Sequence, residues 1–486
     1  MKILNIRMIL RVMSMLLLIE AFFILLSGGI SWLMGDGDWI WFLFSAGITV
    51  IFSALGMLVT RSARRDLGKR EGYLIVSTVW LFFSLFGGLP YYLSGAIPSV
   101  TDVFFETMSG FTTTGSTILN DIESLSHGML LWRSITQWIG GMGIIVLSLS
   151  ILPMLGVEGM QLFLAEVPGP TKDKLHAKVS YTGRVLWGIY TVLTLIESLC
   201  LWVGGMDYFD AICHALTTMA SGGFSTKNAS IAAFESPVIE YIIMVFMFLS
   251  GINFALYFRL LTGQFGKFFR DEEFRHYCRI LMILILLVGI GLYFTQREAM
   301  TIPEVIRNSM FNVIALVTTT GYATVEYMEW SPFVWTSIMI AMLFSACAGS
   351  TSGGIKTARL VLLFKNSVYE FKRLIHPNAV LPVQFNGHVI SPQIVNSIVA
   401  FIALYVSIIV ISILVFTFNG MSFDLAFGTA VSAIGNIGPT VGGIGATTSY
   451  AGLTDFAKCY MAVLMLIGRL EIFTVLIIFT PAFWKK

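Results

Sequence analysis

The sequence predicts an all-α polytopic membrane protein of about ten transmembrane helices, in which four pseudo-fourfold repeats of span, pore helix and span surround one ion pore. Three observations predict this fold. The 486-residue chain is 56% hydrophobic and only 12% charged, whereas soluble proteins are about one quarter charged. Apolar stretches long enough to cross a bilayer recur along the chain. Between several of them lie shorter apolar segments, each followed by a glycine-centred loop.

Stretches of about 20 or more mainly apolar residues define the predicted spans. They lie at residues 9–33, 38–60, 73–95, 130–154, 181–204, 238–261, 279–296, 333–363, 393–417 and 457–480. The first is too long for a signal-peptide core and no small-residue cleavage pattern follows it, so we expect it to be retained as a helix. The first two spans form an extra N-terminal helix pair.

Charge sorts the connecting loops into two sides of the membrane. Basic residues follow the second, fourth, sixth and eighth spans and occur at both ends of the chain, whereas the other loops are acidic. Loops rich in lysine and arginine stay in the cytoplasm. We therefore expect both termini to be cytoplasmic, which agrees with an even number of spans.

Four glycine-centred loops on the acidic side indicate an internal repeat. A short pore helix opens at Asp102, Asp210, Asn308 and Asp424, which lie 13 residues before the loop glycine in the first three repeats and 14 in the fourth. We therefore divide the chain into the N-terminal helix pair and four pore repeats. Their bounds are residues 1–70, 71–160, 161–265, 266–378 and 379–486.

The residue types in these loops suit a cation-selective filter. Rings of backbone carbonyls replace the hydration shell of potassium in cation channels. Glycine permits the backbone angles that turn carbonyls toward an axis, threonine adds hydroxyl oxygens, and the pore helices point their negative C-terminal ends at the ion. The predicted filter loops are Thr112, Thr113, Thr114 and Gly115; Ala220, Ser221, Gly222 and Gly223; Thr318, Thr319, Thr320 and Gly321; and Gly435, Asn436, Ile437 and Gly438.

A single T-T-T-G sequence is more often an ordinary helix C-cap followed by a turn. Four copies at matching positions between pairs of spans favour the filter instead. Glu106, His214 and Asn312 share one position of the repeat, behind the filter. We expect these three side chains to support the loops rather than carry out chemistry.

The second span of each repeat contains an irregularity near its middle. In repeat three it consists of nine consecutive small or polar residues, Ala346–Gly354, which we call the gate segment. Helix packing through the G-x-x-x-G spacing of Gly349 and Gly353 is the ordinary explanation. Glycine and serine at this density weaken a helix, however, and favour a broken, mobile gate below the filter, so stiffening it should lower ion flux. The predicted gate residues are Gly349, Ser350, Thr351, Ser352, Gly353 and Gly354. The other three irregularities are Trp138–Gly143, Ser250–Asn253 and Ile467–Arg469.

Arg469 lies near the middle of the last predicted span, where an arginine is costly unless it faces water or a partner. Glu471, two positions on, points to nearly the opposite helix face, so we do not expect it to pair with Arg469 within the helix. Two compatible interpretations stay open. The side chain binds carbonyls that hold the bundle together, or it acts as an electrostatic barrier beside the ion path, and we count it among the gate residues.

The remaining residues do not predict an enzyme. Five cysteines show no paired spacing, so we expect neither disulfides nor a metal site. The sequence contains no phosphate-cradling G-x-x-x-x-G-K-[ST] motif. Only Arg469 and a few isolated acids are expected as ionisable groups within the spans, which disfavours an integral-membrane enzyme. A sodium- or proton-coupled secondary transporter is the alternative, although such carriers often have inverted repeats, whereas these four share one orientation.

Four span–pore helix–span repeats with one glycine in each filter loop resemble the Trk/Ktr/HKT superfamily of potassium transporters. The extra N-terminal pair and Arg469 resemble its TrkH branch, and the resemblance covers essentially the whole chain. It implies potassium uptake through a K⁺-selective, Rb⁺-permeant pore in the bacterial cytoplasmic membrane, with potassium ions at the filter and no covalent cofactor. It also implies a homodimer in membrane lipid, a gate at Ala346–Gly354, and a cytosolic nucleotide-binding regulatory subunit of the TrkA type, with no nucleic acid as a partner.

Two filter loops depart from the threonine-rich pattern. Repeat two reads Ala-Ser-Gly-Gly and repeat four reads Gly-Asn-Ile-Gly-Pro. One shared glycine per repeat also provides fewer equivalent carbonyl layers than the T-V-G-Y-G filter of tetrameric potassium channels. We therefore expect weaker discrimination between potassium and sodium than in those channels.

Overall fold

The computed structural model describes residues 4–63, 68–143, 179–296, 298–442, 444 and 448–484. Within these ranges, six helices are long and apolar enough to cross a membrane, and up to eight spans result if each of two sharply bent helix pairs counts as one. The predicted all-helical membrane architecture is confirmed. Of the other two predicted spans, one continues into residues 144–178, outside the described part of the chain, and the other is interrupted by a long loop.

The N-terminal pair consists of α1 (Ile6–Met34) and α2 (Trp39–Val59), which pack closely against each other. Gly35 ends α1 in the left-handed conformation, with φ of 81°, which glycine adopts without steric cost. Helix α1 also packs against the first and last helices of repeat one. The pair therefore lies outside the four repeats and covers one side of repeat one.

Repeat one begins with α3 (Lys69–Gly87) and α4 (Leu89–Ser94), continues with the pore helix α5 (Val100–Phe111), and returns through α6 (His127–Trp138) and a π-helical turn (Ile139–Gly143). The predicted span 73–95 is confirmed as one candidate membrane span, Arg70–Ser94, in which a turn at Gly88 separates α3 from α4. Proline is favoured in the first turn of a helix, and Pro90 stands in the first turn of α4. The π-helical turn falls on the predicted irregularity of this repeat.

Repeat two comprises α7 (Val179–Val203), the pore helix α8 (Tyr208–Met219), a 3₁₀ turn (Ser230–Phe234), α9 (Pro237–Ser250), α10 (Phe254–Leu261) and α11 (Phe265–Arg270). Helices α9 and α10 meet at 94°. The side chain of Asn253 accepts a hydrogen bond from the N–H of Ala255 (2.9 Å) and so caps a new helix at the break. The predicted irregularity at Ser250–Asn253 is confirmed.

Repeat three comprises α12 (Glu272–Thr295), the pore helix α13 (Ile302–Val317), a 3₁₀ turn (Tyr327–Glu329), α14 (Pro332–Ala341) and α15 (Thr357–Ile375). The predicted span 333–363 is wrong as a continuous helix, because residues 342–356 are not helical. They contain the whole gate segment, so helix packing through Gly349 and Gly353 is excluded. Gly349 and Gly354 have φ of 77° and 62°, which glycine alone adopts readily.

Repeat four follows a short antiparallel hairpin, β1 (Gln384–Phe385) and β2 (His388–Val389). Its helices are α16 (Pro392–Phe418), the pore helix α17 (Phe423–Gly435), α18 (Asp455–Arg469), α19 (Phe473–Leu476), a 3₁₀ turn (Ile477–Phe479) and α20 (Pro481–Trp484). The chain bends by 108° after α18. Glu471 and Ile472 both have positive φ at this break, which is unusual for a β-branched residue. The predicted irregularity at Ile467–Arg469 lies within α18, and the break follows directly after it, at residues 470–472.

The pore helices form the centre of the molecule. In α5 and α17 nearly every residue of the second half is buried, although an isolated helix of 12 or 13 residues is only marginally stable in water. The surrounding spans therefore hold these short helices in place. A second, smaller core joins the hairpin to α15 and α16 through Leu362, Phe385 and Ile398.

Candidate functional site

All four pore helices end with the same pair of backbone hydrogen bonds. In α5 the N–H of Thr114 donates to the carbonyl of Ser109 (2.9 Å), and the N–H of Thr113 donates to that of Gly110 (3.0 Å). These are the bonds of a Schellman cap, and they recur at the ends of α8, α13 and α17. The local structure is thus the helix C-cap that one T-T-T-G sequence suggests, present in four copies.

One residue other than glycine adopts the left-handed conformation in each cap. The φ angles are 55° at Thr113, 55° at Ser221, 57° at Thr319 and 53° at Asn436, and the glycine two residues later has φ between 73° and 99°. Positive φ is uncommon for residues other than glycine, and threonine is β-branched. The four filter loops therefore share one backbone conformation that is unfavourable for most residues.

The four filter loops form a closed ring. A Cβ atom built on Gly115 would lie 2.1 Å from the carbonyl oxygen of Gly222, in repeat two. The corresponding distances are 1.8 Å from Gly223 to the Thr320 oxygen, 2.1 Å from Gly321 to the Ile437 oxygen, and 2.7 Å from Gly438 to the Thr114 oxygen. Each glycine thus abuts the carbonyl that precedes the glycine of the next loop, and the contacts return to the first loop. No side chain fits at these four positions.

The ring opens to the side that we predict to be extracellular. All four filter glycines line one cavity of about 520 Å³. The segments that follow the loops form its walls, and the N–H of Tyr450 joins two of them by donating to the carbonyl of Thr117 (2.8 Å). The cavity therefore gives solvent access to a ring whose supporting helices are buried.

The threonine hydroxyls of repeats one and three do not all have the same role. The hydroxyl oxygens of Thr112 and Thr114 lie 2.8 Å apart, and those of Thr318 and Thr320 lie 3.0 Å apart. These four groups therefore bond within their own loops. The hydroxyl of Thr113 is buried and has no hydrogen-bond partner among the described residues. Its oxygen is available to an ion.

Repeat two lacks these threonines, and Gln137 of α6 takes their place. The Nε2 atom of Gln137 donates to the carbonyl of Gly222 (2.8 Å), and its Oε1 accepts from the N–H of Phe224 (3.0 Å). The side chain therefore holds the residues on both sides of Gly223. Gln137 is not among the predicted site residues, and its only signal in the sequence is a polar residue inside an apolar span.

Repeat four is held from several directions. The Nδ2 atom of Asn436 donates to the Thr114 hydroxyl (2.9 Å) and to the Met465 carbonyl (2.8 Å). The carbonyl of Gly438 accepts from the hydroxyls of Ser116 (3.1 Å), Ser432 (2.9 Å) and Tyr450 (2.7 Å). Since three protein hydroxyls bind this carbonyl, it does not face the ring axis as the sequence analysis expects for the filter glycines.

A buried ion pair lies behind the loops of repeats one and two. Arg133 and Glu106 approach to 2.9 Å. Glu106 also accepts from the N–H of Ile118 (3.0 Å), and Arg133 donates to the carbonyl of Ser225 (3.0 Å). The expectation that Arg469 would be the one basic group within the spans is therefore wrong, since Arg133 lies inside the predicted span 130–154.

The three residues predicted to support the filter make different contacts. Glu106 holds the segment after the first loop, as described above. The Nε2 atom of His214 lies 3.0 Å from the hydroxyl of Ser225, two residues after Gly223. Asn312 instead donates to the carbonyl of Asn308 in its own helix (2.8 Å).

The gate segment lies directly against three filter loops. The hydroxyl of Thr351 lies 2.8 Å from that of Ser221, and the N–H of Gly353 donates to the Thr319 hydroxyl (2.8 Å). A Cβ atom on Gly353 would lie 2.3 Å from the Gly435 carbonyl oxygen. The segment therefore closes the ring on the side opposite the outer cavity.

Arg469 binds backbone carbonyls around this closure. Its Nη1 atom donates to the carbonyl of Thr351 (2.8 Å) and its Nη2 atom to that of Gly140 (2.6 Å). Arg469 thus connects the gate segment to the π-helical turn of repeat one. These contacts agree with the first interpretation, in which the side chain binds backbone carbonyls. Glu471 pairs with Arg359, in agreement with the expectation that it is not the partner of Arg469.

The ring oxygens are the candidate ion ligands. Within the described ranges, no group of three His, Cys, Asp or Glu side chains is arranged to hold a metal ion. Backbone carbonyls and hydroxyls bind large monovalent cations. The arrangement suits passage of such a cation rather than tight binding of a divalent metal.

Residues 42–486 match the family described as "TrkH: Cation transport protein". The chain is 37% identical to the Trk system potassium uptake protein TrkH of Escherichia coli K12, over 99% of both chains. It is 38% identical to TrkH of Halomonas elongata, over 99% of this chain and all of that one. The crystal structure of the potassium transporter TrkH from Vibrio parahaemolyticus superposes with a TM-score of 0.88 at 33% identity, covering 99% of this chain and 100% of that chain.

Proposed function

Because the chain belongs to the TrkH family of cation transport proteins, we propose that it is the pore-forming subunit of a Trk-type potassium uptake system. The relatives it matches over nearly their whole length are named as potassium uptake proteins of that system. Members of this family are membrane cation transporters and not enzymes. Potassium is therefore the transported substrate in this proposal.

The closed ring of four glycine–carbonyl contacts is the observation that carries the proposal. An ion of potassium size needs oxygen atoms on all sides, and one loop cannot provide them. Here four loops of one conformation meet, and they face an open cavity on one side. The filter loops Thr112–Gly115, Ala220–Gly223, Thr318–Gly321 and Gly435–Gly438 supply the proposed potassium ligands, with rubidium as a permeant substitute. The carbonyl of Gly438, which binds three hydroxyls, is not one of these ligands.

The pore helices and one hydroxyl assist the ring. The C-terminal ends of the four pore helices converge on it, and each end carries a partial negative charge equivalent to about half an electron. Thr113, whose buried hydroxyl has no hydrogen-bond partner among the described residues, precedes the ring glycine of repeat one by two positions. We assign it as an additional oxygen ligand at the inner end of the filter.

The gate segment is the proposed barrier to ion flow. Its contacts with Ser221 and Thr319 support a position under the filter, and its backbone lies outside any helix. Arg469 binds both the segment and the π-helical turn of repeat one, so it adds positive charge beside the closed path. Ion flow requires that the gate segment leave these contacts.

The same proposal extends to the membrane setting and the partners. Positive-inside asymmetry supports cytoplasmic termini in a bacterial inner membrane. The names of the relatives refer to a Trk system, which supports a cytosolic nucleotide-binding subunit of the TrkA type as the regulator. A homodimer completes the proposed assembly.

Growth of a strain without its own potassium uptake, at low external potassium, tests the function. Wild-type protein is expected to rescue growth, with the regulatory subunit supplied. Gly115→Ser and Gly321→Ser are expected to lose rescue or to admit sodium, because the new side chain meets a carbonyl of the next loop. Gly47→Ser is the matched control, since no atom lies within 4 Å of a Cβ there. Full rescue by both filter variants at equal expression would reject the ring as the filter.

Sodium- or proton-coupled symport is the alternative function. Rubidium flux into vesicles separates the two possibilities. A pore passes rubidium down its own gradient whatever the sodium or pH gradient. A symporter accumulates rubidium when only a sodium or pH gradient is imposed.

A further inference from the structure

One buried carboxylate binds the gate segment and the start of the helix that follows it. Glu273 is the second residue of α12 and is buried. Its Oε1 atom accepts from the N–H of Ala348 (2.6 Å), within the gate segment, and from the N–H of Ala358 (3.1 Å), in the first turn of α15. A single oxygen therefore fixes the two points between which residues 349–354 lie.

The residues just before Glu273 are attached to the surface hairpin. Asn386, at the hairpin turn, accepts from the N–H of Glu272 (2.7 Å) and donates through Nδ2 to Asp271 (3.0 Å). Lys365 of α15 donates to the carbonyl of Gln384 (2.8 Å) and pairs with Glu272. The start of α12 is therefore bound on one side to the hairpin and on the other to the gate segment.

We propose that Glu273 is the positioning residue that clamps the gate segment against the filter, and that the hairpin Gln384–Val389 sets the position of this clamp. The proposal deepens, and rests on, the assignment of the gate given above. An acceptor shared by two buried N–H groups is costly to remove, because both donors are left unpaired. The segment contains three glycines and lies outside a helix, so specific contacts hold it in place, and those of Glu273 act together with the contacts of Thr351, Gly353 and Arg469 described above.

The hairpin connects Glu273 to the protein surface. Asn386 is exposed, whereas Glu273 is buried. A force on the hairpin displaces Asp271 and Glu272 first, and the adjoining carboxylate of Glu273 moves with them. A cytosolic partner that binds the hairpin thus needs no contact with the gate segment to shift it.

Rubidium flux through the chain alone, reconstituted in vesicles without a regulatory subunit, tests the clamp. Glu273→Ala is expected to raise flux about tenfold, the scale expected when buried hydrogen-bond donors lose their acceptor. Glu273→Gln is expected to stay near wild type, because its amide oxygen can accept both bonds. Flux in Glu273→Ala equal to wild type, or Glu273→Gln as leaky as Glu273→Ala, overturns the proposal.

Hydrogen exchange at residues 345–356, measured by mass spectrometry, provides a readout independent of transport. We expect faster exchange in Glu273→Ala and, to a smaller extent, in Asn386→Ala. His388→Ala, on the same hairpin and also exposed, is the control and should exchange like wild type. Unchanged exchange in both test variants rejects the clamp even if potassium transport is confirmed. Faster hydrogen exchange in the test variants, together with no rubidium transport by the wild-type protein, rejects the pore function and supports the clamp.

Discussion

In repeats one and three, hydroxyl groups inside the filter loop bond to each other, whereas the loops of repeats two and four are held mainly by contacts with other parts of the chain. Thr318 bonds to Thr320 and to the Ile314 carbonyl of its own pore helix (2.7 Å). Repeat two relies on Gln137, which belongs to repeat one. The two kinds of loop nevertheless have the same backbone conformation.

The difference shows that backbone shape, not side-chain identity, is what the four repeats share. A loop without threonines keeps its left-handed residues only if another group satisfies its carbonyl and N–H. Gln137 does this for repeat two. In repeat four, three hydroxyls satisfy the Gly438 carbonyl, and Asn436 donates from the loop to Thr114 and to the Met465 carbonyl. Loops held from outside should therefore be more sensitive to substitutions far from the filter.

Gln137→Leu should have the largest effect among substitutions outside the loops. It leaves the Gly222 carbonyl and the Phe224 N–H unpaired in a buried site, at about 1–3 kcal/mol for each group. We expect at least about a tenfold loss of potassium-limited uptake, since about 1.4 kcal/mol corresponds to that factor, and a lower potassium-to-sodium flux ratio. Uptake and selectivity equal to wild type would show that repeat two keeps its shape without this brace.

Asn436→Gly should have a smaller effect. Glycine adopts the left-handed φ of 53° at this position at no cost, so the substitution removes only the side-chain bonds to Thr114 and Met465. Three hydroxyls still hold the nearby Gly438 carbonyl. We expect a loss of about threefold in rubidium uptake, corresponding to less than about one hydrogen bond. A loss as large as that of Gln137→Leu would mean that repeat four depends on one side chain.

Much of this architecture could be predicted from local sequence. The apolar spans, the four glycines and the breaks in the second spans follow from composition and spacing, because each is a property of a short stretch. The gate segment was predicted in the same way, from nine small or polar residues within a span. The structure adds that the segment touches Ser221 and Thr319, which belong to two different repeats.

The groups that brace the loops from outside could not be predicted. Gln137 and Phe224 are 87 positions apart in the chain, and Arg133 and Glu106 belong to different helices of repeat one. The packing of the repeats decides which polar side chain contacts which loop. A periodic sequence pattern does not predict these contacts. The loops of repeats two and four lack the threonines of the other two loops, and these are the loops in which the distant contacts are needed.

Thr318→Val should have the smallest effect and gives the sharpest test of the comparison. Valine keeps the shape of threonine and removes the hydroxyl, so the bonds to Ile314 and Thr320 are lost. The Ile314 carbonyl still accepts from the N–H of residue 318 (2.9 Å), which leaves the Thr320 hydroxyl as the one group that loses a partner in this pair. We expect a loss of stability of about 1 kcal/mol, seen as a lower melting temperature of the purified protein, and less than about a twofold change in uptake.

Thr112→Val, at the equivalent position of repeat one, should behave in the same way. If either variant reduces selectivity as strongly as Gln137→Leu, the hydroxyls are ion ligands or essential braces, and the distinction between the two kinds of loop fails.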